Sequence, residues 1–321
     1  MRDLSAFGIS QEKIAHAARL LREGKLVAFP TETVYGLGAN ALDTAAVERI
    51  YEAKGRPRSS PIIVHVSDYA MLRRVACDWP EVAQELAQKF WPGPLTLVLP
   101  KTAAVPDLVT AGLATVGVRM PAHPLALAVI EAAWVPVAAP SANRFTQVSP
   151  TTAEHVRAGL GERVDYILDG GPCNVGIEST VLSLAEEVPV LYRPGGVSRE
   201  QIEKMIGPVA VKSDTSAEAH ASPGLHPRHY SPRTRLLLVV RGEVPREGSG
   251  AYLQLTNAPV HGVSEVVAMP LGAAEYATKL YGALHALDAR DYEWIAVDAP
   301  PELPEWEAVL DRLQRAAFFE G

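Results

Sequence analysis

The feature that most constrains this fold is a series of short apolar runs, each bounded by turn residues. Runs such as 61–66 (PIIVHV), 95–100 (LTLVLP) and 115–120 (TVGVRM) are rich in β-branched residues, so we predict strands there. Segments with helical periodicity, among them 10–23 and 44–54, lie between the strands without strict alternation. The pattern predicts a twisted α/β sheet of mixed strand direction rather than a pure doubly wound fold.

The sequence changes character after residue 196. Ser198 and Gln201 fit a capping box for a short helix, which we expect over 198–208. Residues 213–232 carry Ser, Pro, Gly, Ala and His with little apolar periodicity, as a linker does. A compact α/β module is predicted after it, with strands at runs such as RLLLVV and EWIAVDA. The predicted parts are a first domain over 10–196, a helix and linker over 197–232, and a smaller domain over 233–321.

Composition excludes several classes of protein. The chain has 321 residues, of which 48% are hydrophobic and 21% charged, as in soluble globular proteins. Its net charge of −7 argues against a general nucleic-acid binder. No stretch has the length and apolarity of a membrane span or a signal core, so we expect a cytoplasmic protein. Cys77 and Cys173 belong to no CxxC pair, and we expect both to be buried, reduced thiols.

A basic turn stands out at the end of the second predicted helix. Lys54, Arg56 and Arg58 lie within five residues of one another. Such cations often only complement the negative end of a helix at the surface. The alternative is an anion site, because loops rich in glycine and hydroxyl groups follow several predicted strands and gather at strand ends. On this interpretation a polyphosphate would be held by Lys54, Arg56 and Arg193.

Other chemical motifs are incomplete. The segment 36–41 (GLGANA) fits G-x-G-x-x-[GA], but PTETVY separates it from the preceding strand, so a dinucleotide site is disfavoured. We expect its glycines to let the backbone turn tightly beside a ligand. The chain has no P-loop motif and no G-x-S-x-G elbow. His226 and His229 in HPRH could supply two metal nitrogens, but no third ligand has the right spacing, so we expect no metal site.

Taken together, the motifs resemble a known family. PTETVYGLG, KGRP with SPIIVHV, WPGPLTLVL, VGVRMPAHP, PSANRF and GIESTVL with YRPG occur in order over residues 10–196. This segment is similar to the YrdC-like domain. With the appended HPRHYSP linker and C-terminal unit, nearly the whole chain resembles the two-domain L-threonylcarbamoyladenylate synthases. The resemblance implies a YrdC-like twisted mixed sheet with flanking helices and a basic cavity, plus a smaller Rossmann-like α/β C-terminal domain.

The resemblance also implies a reaction and a set of residues. Family members join L-threonine, bicarbonate and ATP into threonylcarbamoyl-AMP and release pyrophosphate, with Mg²⁺ expected on the ATP. The product supplies a transferase complex that modifies tRNA next to the anticodon. The implied catalytic residues are Lys54, Arg56, Ser141 and Asn143. The implied ATP ligands are Arg56, Ser60, Thr115, Ser141, Ser149, Arg193 and Tyr230. The implied threonine ligands are Thr33, His65, Arg119, Ala139 and Ser179.

Alternatives remain for some residues and for the function. Arg119 suits a carboxylate as a bidentate partner, yet it could form an ordinary salt bridge, and His65 could be a core histidine. Tyr230 in the linker suggests a lid over a water-sensitive product. A module that binds double-stranded RNA or tRNA by shape is a second function, which the net charge disfavours. Carbamoyl transfer from carbamoyl phosphate is a third, although the chain lacks the cysteine clusters found with that chemistry.

Overall fold

Short strands form the frame of the structure, as the apolar runs predicted. The computed structural model describes residues 10–212, 229–240, 242–256 and 260–318. Its strands are β1 (Val27–Pro30), β2 (Tyr35–Asn40), β3 (Val64–His65), β4 (Leu95–Pro100), β5 (Thr115–Arg119), β6 (Val137–Ala138), β7 (Tyr166–Ile167), β8 (Thr180–Ser183), β9 (Val190–Arg193), β10 (Ala210–Val211), β11 (Arg235–Val239), β12 (Gly250–Gln254), β13 (Glu265–Ala268) and β14 (Trp294–Asp298).

Helices cover the faces of the strands. They are α1 (Gln11–Arg22), α2 (Thr44–Lys54), α3 (Tyr69–Leu72), α4 (Glu81–Phe90), α5 (Asp107–Thr110), α6 (Pro124–Ala133), α7 (Ala153–Gly159), α8 (Arg199–Ile206), α9 (Ala273–Asp288) and α10 (Glu307–Ala317). Short 3₁₀ turns lie at Gly161–Arg163 and Pro304–Trp306. The capping box of Ser198 and Gln201 is present at the start of α8, which confirms that prediction.

The first sheet has mixed strand direction. Within the described residues it contains ten strands in the order β10-β9-β8-β4-β5-β3-β6-β2-β1-β7. β3 pairs with β5 in parallel, whereas β6 pairs with both β2 and β3 in antiparallel fashion. The core beneath the sheet includes the apolar face of α1, where Ile14, Ala17 and Leu21 are buried. The predicted α/β class with a mixed sheet is confirmed.

The segment 36–41 corrects one interpretation from sequence. We expected its glycines to form a tight turn, but Tyr35–Asn40 is strand β2, paired with β1 and β6. A Cβ atom on Gly38 would lie 2.6 Å from the Phe29 ring and 2.9 Å from Val137. This glycine therefore gives room for close packing across the sheet rather than for a turn.

The C-terminal unit has a parallel sheet. In the part of it that the structure describes, four strands lie in the order β11-β14-β12-β13, and each adjacent pair is parallel. Its core also takes in Val34, Val148 and Ile177 from the first 212 residues. The unit is thus packed against loops of the first sheet. Residues 213–228 of the predicted linker, with His226, lie outside the described residues, and the domain boundaries remain predictions.

Two further features concern cysteine and membrane insertion. Cys173 is buried, but Cys77 is exposed, so the expectation that both thiols are buried was wrong for Cys77, which follows α3 at the surface. Among the described residues, no helix has both the length and the apolar character needed to cross a membrane.

Candidate active site

A small cavity lies beside the centre of the first sheet. Its volume is about 50 Å³, far below the roughly 300–1,000 Å³ of typical small-molecule pockets. The predicted site residues that line it are Thr33, Arg56, His65, Arg119, Ala139, Ser141, Ser179, Arg193 and Tyr230. The remaining lining residues are Thr31, Val34, Gly36, Ile63, Pro140, Glu178 and His229. Segments far apart in sequence therefore meet at one point.

Lys54 joins two of the predicted motifs. It is the last residue of α2, which stops because Gly55 adopts a left-handed conformation with φ of 64°. Its Nζ donates to the carbonyl oxygens of Ser141 at 2.6 Å and Asn143 at 2.5 Å. Lys54 is only 3% exposed, and burial, with Arg56 nearby, lowers the pKa of its amine well below the ordinary value. In this structure Lys54 shapes the loop that carries Ser141.

The side chains of the other two cations of the basic turn, Arg56 and Arg58, point in opposite directions. Arg56 turns inward, and its guanidinium donates to Ser60 and to the carbonyl oxygen of Pro61. Burial lowers the pKa of Arg56 to about 10, which keeps it charged at neutral pH. Arg58 turns outward and pairs with Glu48 at the surface. The surface interpretation of this turn therefore applies to Arg58, whereas Arg56 reaches the cavity.

Arg119 and His65 define one side of the cavity. They end the parallel strands β5 and β3 and are directly paired in register. Arg119 donates from Nε to Gly93 at 3.1 Å and from Nη1 to Thr33 at 3.0 Å. Its Nη2 lies 2.6 Å from Glu32 Oε1, without the alignment of a hydrogen bond. The salt bridge is thus present, and a ligand carboxylate would have to compete with Glu32.

His65 lines the cavity and carries a buried ring nitrogen without a partner among the described residues. Its Nδ1 is buried and has no hydrogen-bond partner in the part of the chain that the structure describes. Burial, and then the charge of Arg119, lower the pKa of His65 to about 3. The ring is therefore neutral at physiological pH. Buried polar atoms without partners are uncommon, which makes this nitrogen a candidate contact for a ligand.

Arg193 and Ser179 define a second side of the cavity. Arg193 ends β9, and its guanidinium donates to the carbonyl oxygen of Ser179 at 2.9 Å and 3.1 Å. The hydroxyl of Ser179 lies 2.8 Å from that of Thr96. Gly195 packs so tightly on this loop that a Cβ there would lie 2.3 Å from Thr180 N. The glycines after Arg193 therefore hold the loop against the end of β9.

Glu178 is a carboxylate that sequence reasoning missed. It is 6% exposed and lines the cavity. Burial alone would raise the pKa of its carboxyl, but Arg312 and Arg193 hold that pKa below the usual value. The ionised side chain accepts a hydrogen bond from Ser149 Oγ at 2.6 Å. An anionic ligand predicts cations rather than carboxylates at its site, although the lone acid in the hydroxyl-rich motif GIESTV was a signal.

The end of the predicted linker closes the cavity. His229 and Tyr230 are 6% and 1% exposed, and their rings meet edge to face at 4.0 Å. Tyr230 has φ of 59°, a left-handed conformation that costs a non-glycine residue roughly 1–2 kcal/mol. Ser231 N donates to the carbonyl oxygen of Thr146 at 2.8 Å and so ties this segment to the loop after Ser141. His229 was also missed, although it stands beside Tyr230 in the same motif.

Some predicted residues lie outside the cavity lining. Lys54 and Asn143 lie behind Ser141, and Ser60 lies behind Arg56. Ser149 is fully buried behind Glu178. Thr115 lines a separate cavity of about 10 Å³ together with Ile63, Val98 and Val181. The roles of all these residues stay predictions.

The described residues offer no dedicated metal site. They contain no group of three or more His, Cys, Asp or Glu side chains that could hold an ion.

Comparison with known proteins decides the family. Residues 19–195 match a sequence family described as telomere recombination, and residues 197–318 match one described as threonylcarbamoyl-AMP synthase, C-terminal domain. The threonylcarbamoyl-AMP synthase of Pyrococcus abyssi is 43% identical, with 97% of this chain and 96% of that protein covered. The chain belongs to the threonylcarbamoyl-AMP synthase family. The resemblance found in the motifs is thereby confirmed.

Further members of the family support this assignment. The threonylcarbamoyl-AMP synthase of Bacillus subtilis is 46% identical over 95% of this chain and 93% of that protein. A crystal structure of P. abyssi Sua5 complexed with L-threonine superposes with a TM-score of 0.89 and 42% identity, covering 96% of this chain and 95% of that chain. The likeness to threonylcarbamoyl-AMP synthases thus extends over both units of the chain.

Proposed function

We propose that this chain synthesises threonylcarbamoyl-AMP from L-threonine, bicarbonate and ATP, with release of pyrophosphate. The observation that carries the proposal is the convergence of Arg56, Arg119 and Arg193 on one buried cavity, in a chain of the threonylcarbamoyl-AMP synthase family. Both reactants are anionic, since one is a polyphosphate and the other a carbamate with a carboxylate. Cations fixed in a cavity that excludes water are suited to bringing such reactants together.

The chemistry has two stages. The amine nitrogen of threonine first forms a bond to the bicarbonate carbon. The bond from that carbon to its hydroxyl oxygen breaks, and water leaves with a proton from the amine, which gives a carbamate. A carbamate oxygen then forms a bond to the α-phosphorus of ATP, while the bond from that phosphorus to the bridging oxygen breaks and pyrophosphate leaves. Arg56 and Arg193 would screen the negative charge on the phosphates, and Lys54 would hold the backbone of the loop with Ser141 in place.

The threonine side would use Arg119, His65 and Thr33. Arg119 faces the cavity with its guanidinium already held by Thr33 and Glu32, so its position is set before substrate binds. The neutral His65 ring offers a buried nitrogen without a partner among the described residues. A site that hydrogen-bonds a substrate hydroxyl rejects analogues that lack it. Such a contact would separate threonine from valine.

A lid movement follows from the size of the cavity. At about 50 Å³ it cannot hold ATP while His229 and Tyr230 lie where they do. We therefore propose that this segment moves aside to admit the nucleotide and returns over the product. Threonylcarbamoyl-AMP is a mixed anhydride, so its shielding from water has a chemical purpose.

The proposed reaction also implies a metal ion, a downstream enzyme and a cellular compartment. Mg²⁺ would enter with ATP as part of the substrate, because the described residues contain no metal cluster of their own. The product would pass to a transferase that attaches the threonylcarbamoyl group to tRNA next to the anticodon. The chain would thus act in the cytoplasm, where ATP and uncharged tRNA are available.

Mass spectrometry tests the proposal directly. Purified protein is incubated with ATP, Mg²⁺, threonine and ¹³C-bicarbonate, and labelled threonylcarbamoyl-AMP is expected together with pyrophosphate. Parallel reactions replace bicarbonate with carbamoyl phosphate or omit threonine. Absence of the labelled product with bicarbonate would overturn the proposal, and product from carbamoyl phosphate alone would favour carbamoyl transfer instead.

A further inference from the structure

Arg312 is a fully buried arginine in the C-terminal unit. It lies on the inward face of α10 beside Val309, Leu313 and Ala316, which are also buried. Its side chain is 0% exposed. A guanidinium in such a place is costly unless its charge and its donors are matched. Its partners therefore show what the buried charge is used for.

The partners of Arg312 reach well beyond its own unit. Nε donates to Glu178 Oε2 at 2.7 Å, and Nη2 donates to the carbonyl oxygen of Pro194 at 2.9 Å. The guanidinium carbon lies 5.0 Å from the ring centre of Tyr230. Nη1 donates to Asp311 within the same helix. One side chain thus joins the loop before β8, the end of β9 and the segment that closes the cavity.

Glu178 is held from two directions. Its Oε1 accepts from Ser149 Oγ at 2.6 Å, and its Oε2 accepts from Tyr281 at 3.0 Å as well as from Arg312. Because both oxygens are engaged, the orientation of the carboxylate is fixed and Arg312 balances its charge. Without Arg312, a buried negative charge at the cavity would face the phosphates of the nucleotide and repel them.

The threonine side is anchored differently. In the described part of the chain, Arg119 donates its hydrogen bonds to Gly93 and Thr33, and its ion pair is with Glu32. All three partners belong to the first unit. Removal of Arg312 is therefore expected to disturb the nucleotide side and to leave Arg119 and its partners in place.

We propose that Arg312 is a positioning residue for ATP: it neutralises and orients Glu178 and fixes the strand end that carries Arg193. The C-terminal unit thereby acts on nucleotide binding through the first unit. The inference rests on the proposed function, because it assumes that ATP occupies this cavity. A purely structural role would lower stability or affect both substrates alike.

The experiment uses full-length Arg312→Met and Arg312→Lys variants. For Arg312→Met, KM for ATP rises about tenfold and KM for threonine stays within about twofold, where tenfold corresponds to about 1.4 kcal/mol. Arg312→Lys keeps the positive charge but lacks the planar guanidinium with its several N–H donors. Its KM for ATP therefore rises by a smaller factor. Adding Glu178→Gln to Arg312→Met brings KM for ATP part of the way back, because the uncompensated charge is gone.

A matched control removes another contact between the units. Thr278 Oγ1 donates to the carbonyl oxygen of Asn174 at 2.8 Å, so Thr278→Val weakens the same interface away from Glu178 and leaves KM for ATP unchanged. An unchanged KM for ATP in folded Arg312→Met, or equal rises for both substrates, overturns the inference. Should Arg312→Met fail to fold, Tyr281→Phe removes a single hydrogen bond to Glu178. A rise of about threefold in KM for ATP supports the inference, and no change overturns it.

Calorimetric binding of ATP separates this inference from the proposed function. If wild type forms no threonylcarbamoyl-AMP but binds ATP more tightly than Arg312→Met does, the proposed function fails and the positioning role stands. If wild type forms the product and both proteins bind ATP equally, the proposed function stands and the positioning role fails.

Discussion

The two sides of the cavity are built in different ways. On the threonine side, His65 and Arg119 sit on paired strands at the centre of the first sheet. On the nucleotide side, Arg56 follows a helix, Arg193 ends a strand, and Tyr230 belongs to a segment that packs against Arg312 and Tyr281 of the C-terminal unit. One side depends on a single sheet, and the other depends on contacts between units.

This difference assigns a different physical role to each side. Residues on adjacent strands keep their spacing because backbone hydrogen bonds fix it. Residues on loops and on a second unit can move apart at a smaller cost in free energy. On the proposed function, the threonine side would therefore be a preformed recognition surface, whereas the nucleotide side would open for ATP and close over the product.

The largest expected effect comes from the basic turn of the nucleotide side. Loss of a donor fixed at a developing charge typically lowers the rate 10²–10³-fold, or about 2.7–4 kcal/mol. We expect that range for Arg56→Ala, which removes a cation from the cavity. We expect it also for Lys54→Ala, which removes two hydrogen bonds from the loop that carries Ser141. The rate of pyrophosphate release measures the effect of each substitution.

Arg58→Ala is the matched control for these variants. Arg58 belongs to the same turn but pairs with Glu48 at the surface, and such exposed pairs contribute little. Its rate should stay within about twofold of wild type. Losses below about threefold in Arg56→Ala or Lys54→Ala would remove those residues from the mechanism.

The role of Lys54 shows what the sequence predicts and what it does not. The motifs placed Lys54 and Ser141 in one site, and the structure brings them together. The sequence did not predict that the amine binds the backbone of the loop, because that contact joins residues 87 positions apart. Strand β2 was missed for a related reason: glycine lowers local strand propensity, and pairing with β1 and β6 overrides it.

Arg312 was missed although a local signal existed. Val309, Leu313 and Ala316 mark the apolar face of α10, and Arg312 lies on that face. An arginine at an inward position of an amphipathic helix predicts a buried ion pair. The sequence alone cannot identify its partner, because Glu178 is 134 positions away.

Removal of the C-terminal unit tests whether the nucleotide side depends on it. Deleting 213–321 takes away Tyr230, Tyr281 and Arg312, while β1 to β10 remain. We expect a folded first domain, seen by circular dichroism, whose yield of threonylcarbamoyl-AMP falls roughly tenfold or more. Part of the loss should appear as free product hydrolysed to AMP. Undiminished yield would refute both the lid and the dependence on the second unit.

Arg119→Ala probes the preformed side. Arg119 bridges Gly93, Thr33 and Glu32 at the cavity, so its loss removes the cation that we propose as the partner of the threonine carboxylate. KM for threonine should rise about tenfold and KM for ATP much less. Because the substitution leaves the buried carboxylate of Glu32 without its ion-pair partner, Arg119→Ala with Glu32→Ala serves as the companion variant. Equal changes in both KM values would mean that Arg119 is structural.

The smallest expected effect is a loss of stability at low pH, caused by two stacked histidines at the contact between the units. His155 on α7 stacks on His285 of α9 with ring centres 3.9 Å apart, and His285 Nε2 donates to the carbonyl oxygen of Ser149 at 3.1 Å. Burial, and then the charge of His285, lower the pKa of His155 to about 4. Burial also lowers the pKa of His285. Both rings are therefore neutral in the folded protein at pH 7.

The sign of the pH effect follows from these shifts. Between about pH 6.5 and 4 the unfolded chain binds protons that folded His155 does not, so stability falls as the pH is lowered through this window and is unaffected above it. His155→Phe keeps a stacked ring without a titrating group. Its melting temperature should fall about 2–4 °C less than that of wild type over this window, as about 1 kcal/mol predicts. His261 is exposed, so the melting temperature of the control variant His261→Phe should change with pH as that of wild type does. If the melting temperatures of wild type and His155→Phe fall equally as the pH is lowered, the histidine pair does not make the contact between the two units sensitive to acid.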